Sequence, residues 1–320
     1  MIGHNLRKRT FREKWQRVKK GIWQNRGIYV LAFLPLVWFI IFDYGPMGGL
    51  SLAFKTYKTK LGIWASPWVG LKNFKNVFSD PQFFKAVRIT LWINLVEMAV
   101  YFPIPIIMAV ALNELRLRRI KKSLQTIVTF PHFLSWVVVG SILKNLLSME
   151  GPVNGLLNIF GFNSVVFLST KSLFRPLIYI TLIWKEAGWD AIIYMAAISG
   201  IDEQQYEAAT IDGASRFQCI ASITLPSIMP TIAIMLILRM GSMMAGHYDQ
   251  IFNMQNDLVR TEAETLAMYV YRITFERTPN YGTSTAVSLF SSVINMVLMV
   301  SANFVSRRVS GNDLLGGVGF

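Results

Sequence analysis

The sequence predicts an all-α polytopic membrane protein with six transmembrane helices, and three observations carry that prediction. Of 320 residues, 53% are apolar (AVILMFWYC) and only 16% charged, with a mean hydropathy of +0.41; an ordinary soluble domain carries about 25% charged residues. The apolar residues gather into stretches of the roughly 20 residues that a hydrocarbon core of about 30 Å demands. The basic residues gather beside those stretches, as positive-inside topology requires. Disorder needs the opposite balance of charge and hydropathy. The 22 glycines have no period, and the single cysteine, Cys219, permits neither an intramolecular disulfide nor a thiolate metal site. The net charge of +14 does not indicate nucleic acid, because no basic stripe is interleaved with base-stacking aromatics in a soluble domain.

Taken in order, the first span runs from Trp23 to about Tyr44, with aromatic ends placed like an interfacial belt. The second, Thr90 to Leu112, holds Pro103 and Pro105, which a membrane helix tolerates as a kink. The third covers Ile127 to Leu147, and the fourth, Leu173 to Ile198, carries Lys185 and Glu186. The fifth runs from Pro226 to Ala245 and the sixth from Thr285 to Val305.

Nine of the 32 basic residues fall within the first 26 positions, and five more cluster from Arg116 to Lys122. Placing both termini in the cytoplasm puts the larger share of Lys and Arg inside, although the outer segment 45–89 opposes the bias with lysines at 55, 58, 60, 72, 75 and 85. The basic N-terminus is too long for a signal-peptide n-region, and no small-residue cleavage pattern follows it. Phe11, Trp15, Val18 and Ile22 recur there at helical spacing, which suits a segment lying on the cytoplasmic surface; a disordered basic tail is the alternative. The expected division is a basic cytoplasmic segment 1–26, a membrane domain 27–306 containing a loop at 199–226, and a cytoplasmic tail 307–320.

That loop breaks the charge rule. Asp202, Glu203, Glu207 and Asp212 face only Arg216 on the side that should be positive. Asp202 with Gln205 has capping-box spacing, Gly213 can leave right-handed helical geometry, and Pro226 suits the first turn of the fifth span. Two short helices bent at Gly213 follow. They would serve either as an interfacial connector or, through their acidity, as a docking surface for a basic soluble partner.

From Glu207 to Pro226 the chain reads EAATIDGASRFQCIASITLP. This resembles the EAA loop of binding-protein-dependent ABC importer permeases: Glu-Ala-Ala, a Gly six residues after the Glu, then nine intervening residues before Ile-x-Leu-Pro. The stretches FDYGPMGGLSLAFKTYKTKLGIWASPWVGLKNFKNVFSDPQFF, LNELRLRRIKKSLQTIVTFPHFLSWVVVGSI, LIWKEAGWDAIIYMAAISGID and TAVSLFSSVINMVLMVSANFVSRR extend the resemblance over roughly residues 15–315, to the carbohydrate-importer subfamily of LplB-type permeases. Within that subfamily the chain resembles the first permease subunit of alginate-type oligosaccharide importers. The resemblance implies a type I ABC importer permease fold in the bacterial cytoplasmic (inner) membrane. It also implies a second permease subunit, two cytoplasmic ABC ATPase subunits and an external solute-binding protein as partners, with an oligosaccharide or polysaccharide fragment as cargo. Glu207, Ala208, Ala209, Asp212 and Gly213 are the matching positions for coupling to the ATPase.

The chain itself is expected to bind no cofactor and to catalyse nothing. It lacks a G-x-x-x-x-G-K-[ST] loop, so ATP and Mg would sit in the partner ATPase. Its histidines are His4, His132 and His247, with neither H-E-x-x-H nor G-x-S-x-G around them. His132 reads as structural, and no metal site is expected. The alternative of a self-sufficient secondary transporter or channel would call for an inverted repeat, and none is evident; a scaffold would leave the EAA pattern without a purpose.

Polar groups inside the spans are candidates for the substrate pathway, because an intramembrane charge is costly. Asn94 and Glu97 lie one turn apart. Lys185 and Glu186 are adjacent, about 100° apart around the helix, and are not expected to pair simply with each other. Arg239 lies two-thirds along the fifth span. Trp184, Trp189 and Tyr194 offer flat faces to sugar rings, and Tyr248 and Asp249 lie in the outer stretch GHYDQIFNMQND. Inter-helix hydrogen bonding, snorkelling or packing would account for each of these residues equally simply.

Overall fold

The computed structural model describes residues 21, 23–276 and 278–310. The basic stretch 1–20, expected at the membrane surface, and tail residues 311–320 lie outside the described residues. Among those described no strand forms, and the single β-bridge joins Lys55 to Trp68.

Helix α1, Arg26–Phe39, continues through a π turn at Ile40–Tyr44 and a 3-10 stretch at Gly45–Phe54. The first span therefore outruns its expected end at Tyr44, because Pro46 sits in the first turn of the 3-10 stretch, where a missing N–H does no harm. After α2, Lys72–Phe78, the second span opens at α3, Pro81–Val100, well before Thr90. Asp80 caps it by accepting a hydrogen bond from the Gln82 N–H at 2.9 Å, and Pro81 fits the first turn. The expected proline break falls at Tyr101–Phe102, and α4 follows as Pro103–Asn113.

The third expected span is not straight. Helix α5, Arg118–Thr129, passes into a 3-10 turn at Phe130–Phe133 and meets α6, Trp136–Leu146, at a bend of 99°. Pro131 lies in that turn, and Ser135 restarts the helix by accepting from the Val138 N–H at 3.3 Å.

Beyond α7, Pro152–Ile159, the long helix α8 spans Lys171–Ser199; at about 1.5 Å per residue its 29 residues can cross a bilayer. Two short helices, α9 at Glu203–Ile211 and α10 at Arg216–Cys219, surround Gly213. A π turn then leads α10 without interruption into α11, Leu225–Gly241, so the fifth span begins at Arg216 rather than Pro226. The stretch after it, expected as an outer loop, contains a helix, α12, Tyr248–Met254, whose Gln250, Ile251 and Met254 are buried. Helix α13, Leu266–Tyr271, and α14, Tyr281–Ser310, complete the chain.

Arg26–Phe54, Pro81–Asn113, Arg216–Gly241 and Tyr281–Phe304 are long and apolar enough to cross a membrane, and the bent α5–α6 pair makes a fifth candidate. Helix α8 corresponds to the remaining expected span, its hydropathy interrupted by Lys185, Glu186 and Asp190.

Helix α8 organises the core. Its N-terminal half presents Phe174 and Ile178 to Ile89 and Ile93 of α3 and to Ile251 and Met254 of α12. Its C-terminal half presents Ala191, Tyr194 and Ile198 to Ala109 of α4 and Ile228 of α11. At Gly188 the α5 backbone comes so near that an added Cβ would lie 2.0 Å from the Val128 carbonyl oxygen. A third cluster, including Ala53, Phe83, Met244, Leu266 and Val287, fastens α14 to the 3-10 stretch after α1, to α3 and to α13. Lys55, one of the lysines that oppose the charge bias, is buried. Its Nζ donates to the carbonyls of Ile63 and Trp64, at 2.9 Å each, and lies 4.9 Å from the Trp68 ring centroid.

Candidate functional site

Two parts of the molecule have the make-up of functional sites: the elbow at 202–224 and a chain of polar contacts through the bundle. In the elbow, Asp202 starts α9 by accepting from the Gln204 N–H at 3.0 Å. The expected partner Gln205 takes no part in a box. The reciprocal pair forms one helix later, where the Ser215 N–H donates to Gln218 Oε1 at 2.7 Å and the Gln218 N–H to Ser215 Oγ at 3.4 Å.

Helix α9 ends as the sequence spacing predicts. Gly213 has φ +79°, its N–H donates to the Thr210 carbonyl at 3.1 Å, and the Ala214 N–H reaches back to Ala209 at 2.9 Å. These two bonds make a Schellman ending, which requires the left-handed residue that glycine supplies without a steric penalty. Glu207, Ala208 and Asp212 are exposed and Ala209 is half-buried. On either side of the bend Ile211 and Phe217 stand 86% and 83% exposed. The elbow is thus acidic around a pair of apolar side chains with little cover from their own chain.

Inside the bundle, Glu97 of α3 is buried, forms an ion pair with Arg239 of α11 and is hydrogen-bonded to His247, just before α12. The Arg239 guanidinium lies 4.9 Å from the Tyr101 ring centroid, and the Tyr101 hydroxyl donates to Asp190 Oδ2 at 2.6 Å. One turn away on α8, Glu186 contacts Lys185 Nζ at 2.7 Å and His132 Nδ1 at 2.6 Å. Lys185 also donates to the His132 carbonyl at 2.8 Å, and the His132 ring stacks on Trp189 with centroids 4.3 Å apart. Lys185 and Glu186 therefore do pair, against the sequence expectation. The flexible lysine stem closes the angle between neighbouring positions, and His132 gathers both side chains from α8. Tyr101, Asp190, Tyr194 and Arg239 border a cavity of about 190 Å³.

Buried Glu97 and Lys185 each have an opposite partner, in Arg239 and Glu186, which is the condition for keeping a charge in a low-dielectric interior, whereas Asp190 is held by the Tyr101 hydroxyl. The contacts form two groups one turn apart on α8, the first joining α3, α8 and α11 through Glu97, Arg239, Tyr101 and Asp190, the second joining α8 to the α5–α6 turn through Lys185, Glu186, Trp189 and His132. No cluster of three His, Cys, Asp or Glu side chains among the described residues could hold a metal ion.

The sequence-derived pathway residues do not converge on one point. Glu97 and Trp189 belong to the network, and Tyr194 borders its cavity. Asn94 bonds within its own helix, to the Thr90 carbonyl at 2.8 Å, and Trp184 is half exposed on α8. Tyr248 and Asp249 open α12, Tyr248 half-buried and Asp249 exposed. Sequence reasoning missed Tyr101 and Asp190. The rule that singled out Lys185 and Glu186 applies equally to Asp190, an acid within an apolar run.

Residues 101–311 match the family described as "Binding-protein-dependent transport system inner membrane component". The chain is 40% identical to Protein LplB of Bacillus subtilis (strain 168) over 91% of this chain and 92% of that protein. It is 38% identical to the polygalacturonan/rhamnogalacturonan transport system permease protein YteP of the same organism, over 93% and 92%. Among solved structures, a bacterial ABC transporter involved in the import of the acidic polysaccharide alginate contains a similar chain, with a TM-score of 0.83, 36% identity and 92% and 99% coverage. The alginate transporter in complex with its alginate pentasaccharide-bound periplasmic protein matches with the same TM-score and identity. This chain belongs to the family of inner membrane components of binding-protein-dependent transport systems, and it is an ABC permease subunit.

Proposed function

We propose that this permease subunit forms half of an alternating-access pathway for an oligosaccharide or polysaccharide fragment, and that its elbow couples the pathway to ATP hydrolysis in a partner subunit. The observation that carries the coupling role is the Schellman bend at Gly213 between exposed Ile211 and exposed Phe217. Glu207, Ala208, Ala209 and Asp212 lie on the approach to that bend. Small alanines admit close contact with a groove on the ATPase, and the carboxylates offer charge to a basic partner. A saccharide cargo is supported by relatives named for polygalacturonan/rhamnogalacturonan transport and by an alginate importer of the same fold.

The complete machine holds a second permease, two ATPase subunits that bind ATP and Mg, and an external solute-binding protein. Both termini of this chain lie in the cytoplasm, which places the elbow on the ATPase side. Its own contribution is a pathway and a lever, with no catalytic step. The polar network from Glu97 to Trp189 is the segment of the pathway this chain supplies.

Purification through this chain in mild detergent, followed by mass spectrometry and reconstitution with the binding protein, tests the reading. The expected result is co-purification of an ATPase and a second permease, with saccharide uptake that requires ATP. Saccharide flux through this chain alone, without ATP, would overturn it.

A further inference from the structure

Outside the polar network, α12, α13 and α14 enclose an open groove of about 490 Å³, within the roughly 300–1,000 Å³ typical of small-molecule sites. One wall is a continuous aromatic surface. Tyr248 and Tyr271 have centroids 5.7 Å apart, Tyr271 and Phe275 5.4 Å, and Phe252 fills behind them at 5.1 Å from Tyr271. Phe275 is 69% exposed.

The facing wall is a polar ladder on α14. Ser288, Ser291, Ser292 and Asn295 stand at i, i+3, i+4 and i+7 and so share one helix face. Each serine hydroxyl donates back to its own helix: Ser288 to Ser284 at 3.1 Å, Ser291 to Val287 at 3.0 Å and Ser292 to Ser288 at 3.1 Å. With their hydrogens so engaged, the serine oxygens have lone pairs left to accept hydrogen bonds. Asn295 Oδ1 accepts the Met244 N–H at 2.7 Å, which fixes the amide at the end of the ladder. No Lys, Arg, Asp or Glu lines the groove.

An aromatic face opposite a row of acceptors suits a ring with C–H bonds on its flat side and hydroxyl donors around its edge. We propose that this groove holds a neutral pyranose unit of the transported saccharide, its C–H face on Tyr248, Tyr271 and Phe275 and its hydroxyls donating to the α14 serines. The proposal rests on the saccharide-importer reading above. A carboxylate would find no cation here, so uronate groups are disfavoured at this position. The groove shares no lining residue with the Glu97–Trp189 network, although Tyr248 directly follows His247, which makes it a second point of saccharide contact beside the first.

The test is saturation-transfer NMR on the detergent-purified complex, with cellopentaose as the neutral probe and alginate pentasaccharide as the acidic one. Wild type should transfer saturation to cellopentaose ring C–H protons, and more weakly to the acidic probe at equal concentration. Tyr271→Ala and Ser291→Val should each reduce the cellopentaose signal at least about threefold, in keeping with the loss of one aromatic or polar contact. Tyr271→Phe should retain the signal, as should Trp92→Ala at an exposed ring elsewhere. An unchanged signal in Tyr271→Ala, no signal in wild type, or an equal or stronger response from the acidic probe would overturn the proposal. So would loss of the second permease from Tyr271→Ala, which would make the groove a subunit interface. Failure of the importer reading appears separately, as a wild-type preparation without ATPase subunits or ATP-driven uptake, and the NMR comparison still decides the groove.

Discussion

Tyr206 on α9 and Thr224 at the foot of the fifth membrane helix face each other, the phenol and hydroxyl oxygens 2.9 Å apart. The bond closes a loop of eighteen residues across the Gly213 bend, and Thr224 is buried. It is the one side-chain hydrogen bond recorded from α9 to the start of the membrane helix among the described residues, so it stiffens the lever where movement of the ATPase would enter.

Tyr206→Phe removes that bond and leaves the ring, at a cost of about 1 kcal/mol. We expect the ATPase to stay bound while more ATP is hydrolysed per saccharide imported. Thr224→Val should do the same, and the double variant should add little, because both remove one interaction. The measurement is the ratio of phosphate released to saccharide taken up in proteoliposomes.

At Gly213 no heavy atom lies within 4 Å of an added Cβ, so a substitution there meets backbone strain rather than collision. Gly213→Val should therefore cost about 1–3 kcal/mol, and Gly213→Asn less, since asparagine tolerates the left-handed region. Glu207→Arg reverses a charge in the proposed interface, where losing a charge pair costs about 2–5 kcal/mol. Retention of the ATPase during purification should fall for Gly213→Val and Glu207→Arg, while the second permease remains. Wild-type ATPase retention and uptake in both would dismiss the coupling role.

Gly188 is a test of packing alone. Its added Cβ would sit 2.0 Å from a backbone oxygen, whereas one at Gly155 on α7 would meet nothing within 4 Å. Gly188→Ala must separate α5 from α8, and overpacking of this kind costs about 1–3 kcal/mol or more. The detergent melting temperature should fall clearly for Gly188→Ala and stay nearly unchanged for Gly155→Ala.

Glu97 and Arg239 should show strong coupling. Glu97→Leu leaves the arginine without its buried counter-ion, a lesion of about 3–5 kcal/mol. Adding Arg239→Met removes the orphaned charge and should recover much of the loss. A double-mutant cycle on thermal stability reads this directly, and additive losses would refute the pairing.

Orientation is open to thiol labelling. After Cys219→Ser, cysteines placed at exposed Lys60 and Asp257 should react with an impermeant reagent on intact cells. One placed at exposed Glu203 should react only after permeabilisation. External labelling at 203 would invert the topology.

The bend at Gly213 was legible because its signals are local: an EAA run and a glycine at fixed spacing. The capping box was expected at Asp202 and Gln205 instead of Ser215 and Gln218, because both pairs have the same spacing and only the structure shows which side chains reciprocate. The polar network was legible only as chemistry. Sequence marks Glu97, Lys185, Glu186 and Arg239 as costly in a membrane, but Glu97 meets His247 across 150 positions, and no local pattern encodes that distance. The error over Lys185 and Glu186 came from treating side chains as rigid spokes of a helical wheel. His132 on another helix supplied the reason for them to converge. Likewise the hydropathy of Ile127–Leu147 is continuous, and it conceals the turn at Pro131 because hydropathy records polarity and not direction. Helix α12 was missed because its polar residues resemble loop composition, while its buried face, Gln250, Ile251 and Met254, belongs to tertiary packing.

Helix α1 has no buried residue between Arg26 and Phe39, whereas its C-terminal extension is tied down at buried Ala53 and Lys55. Such an element resembles a mast stepped at one end. Within this chain its place in the bilayer is set by transfer from water to lipid and hardly at all by fit. A change of shape such as Leu31→Phe, at a side chain 77% exposed, should leave the bundle indifferent. One aspartate at its midpoint would cost about 2.5–3.5 kcal/mol on insertion. The helix is free to drift in form and held fast in polarity, the reverse of the constraint at Gly188, where one methyl group is too many.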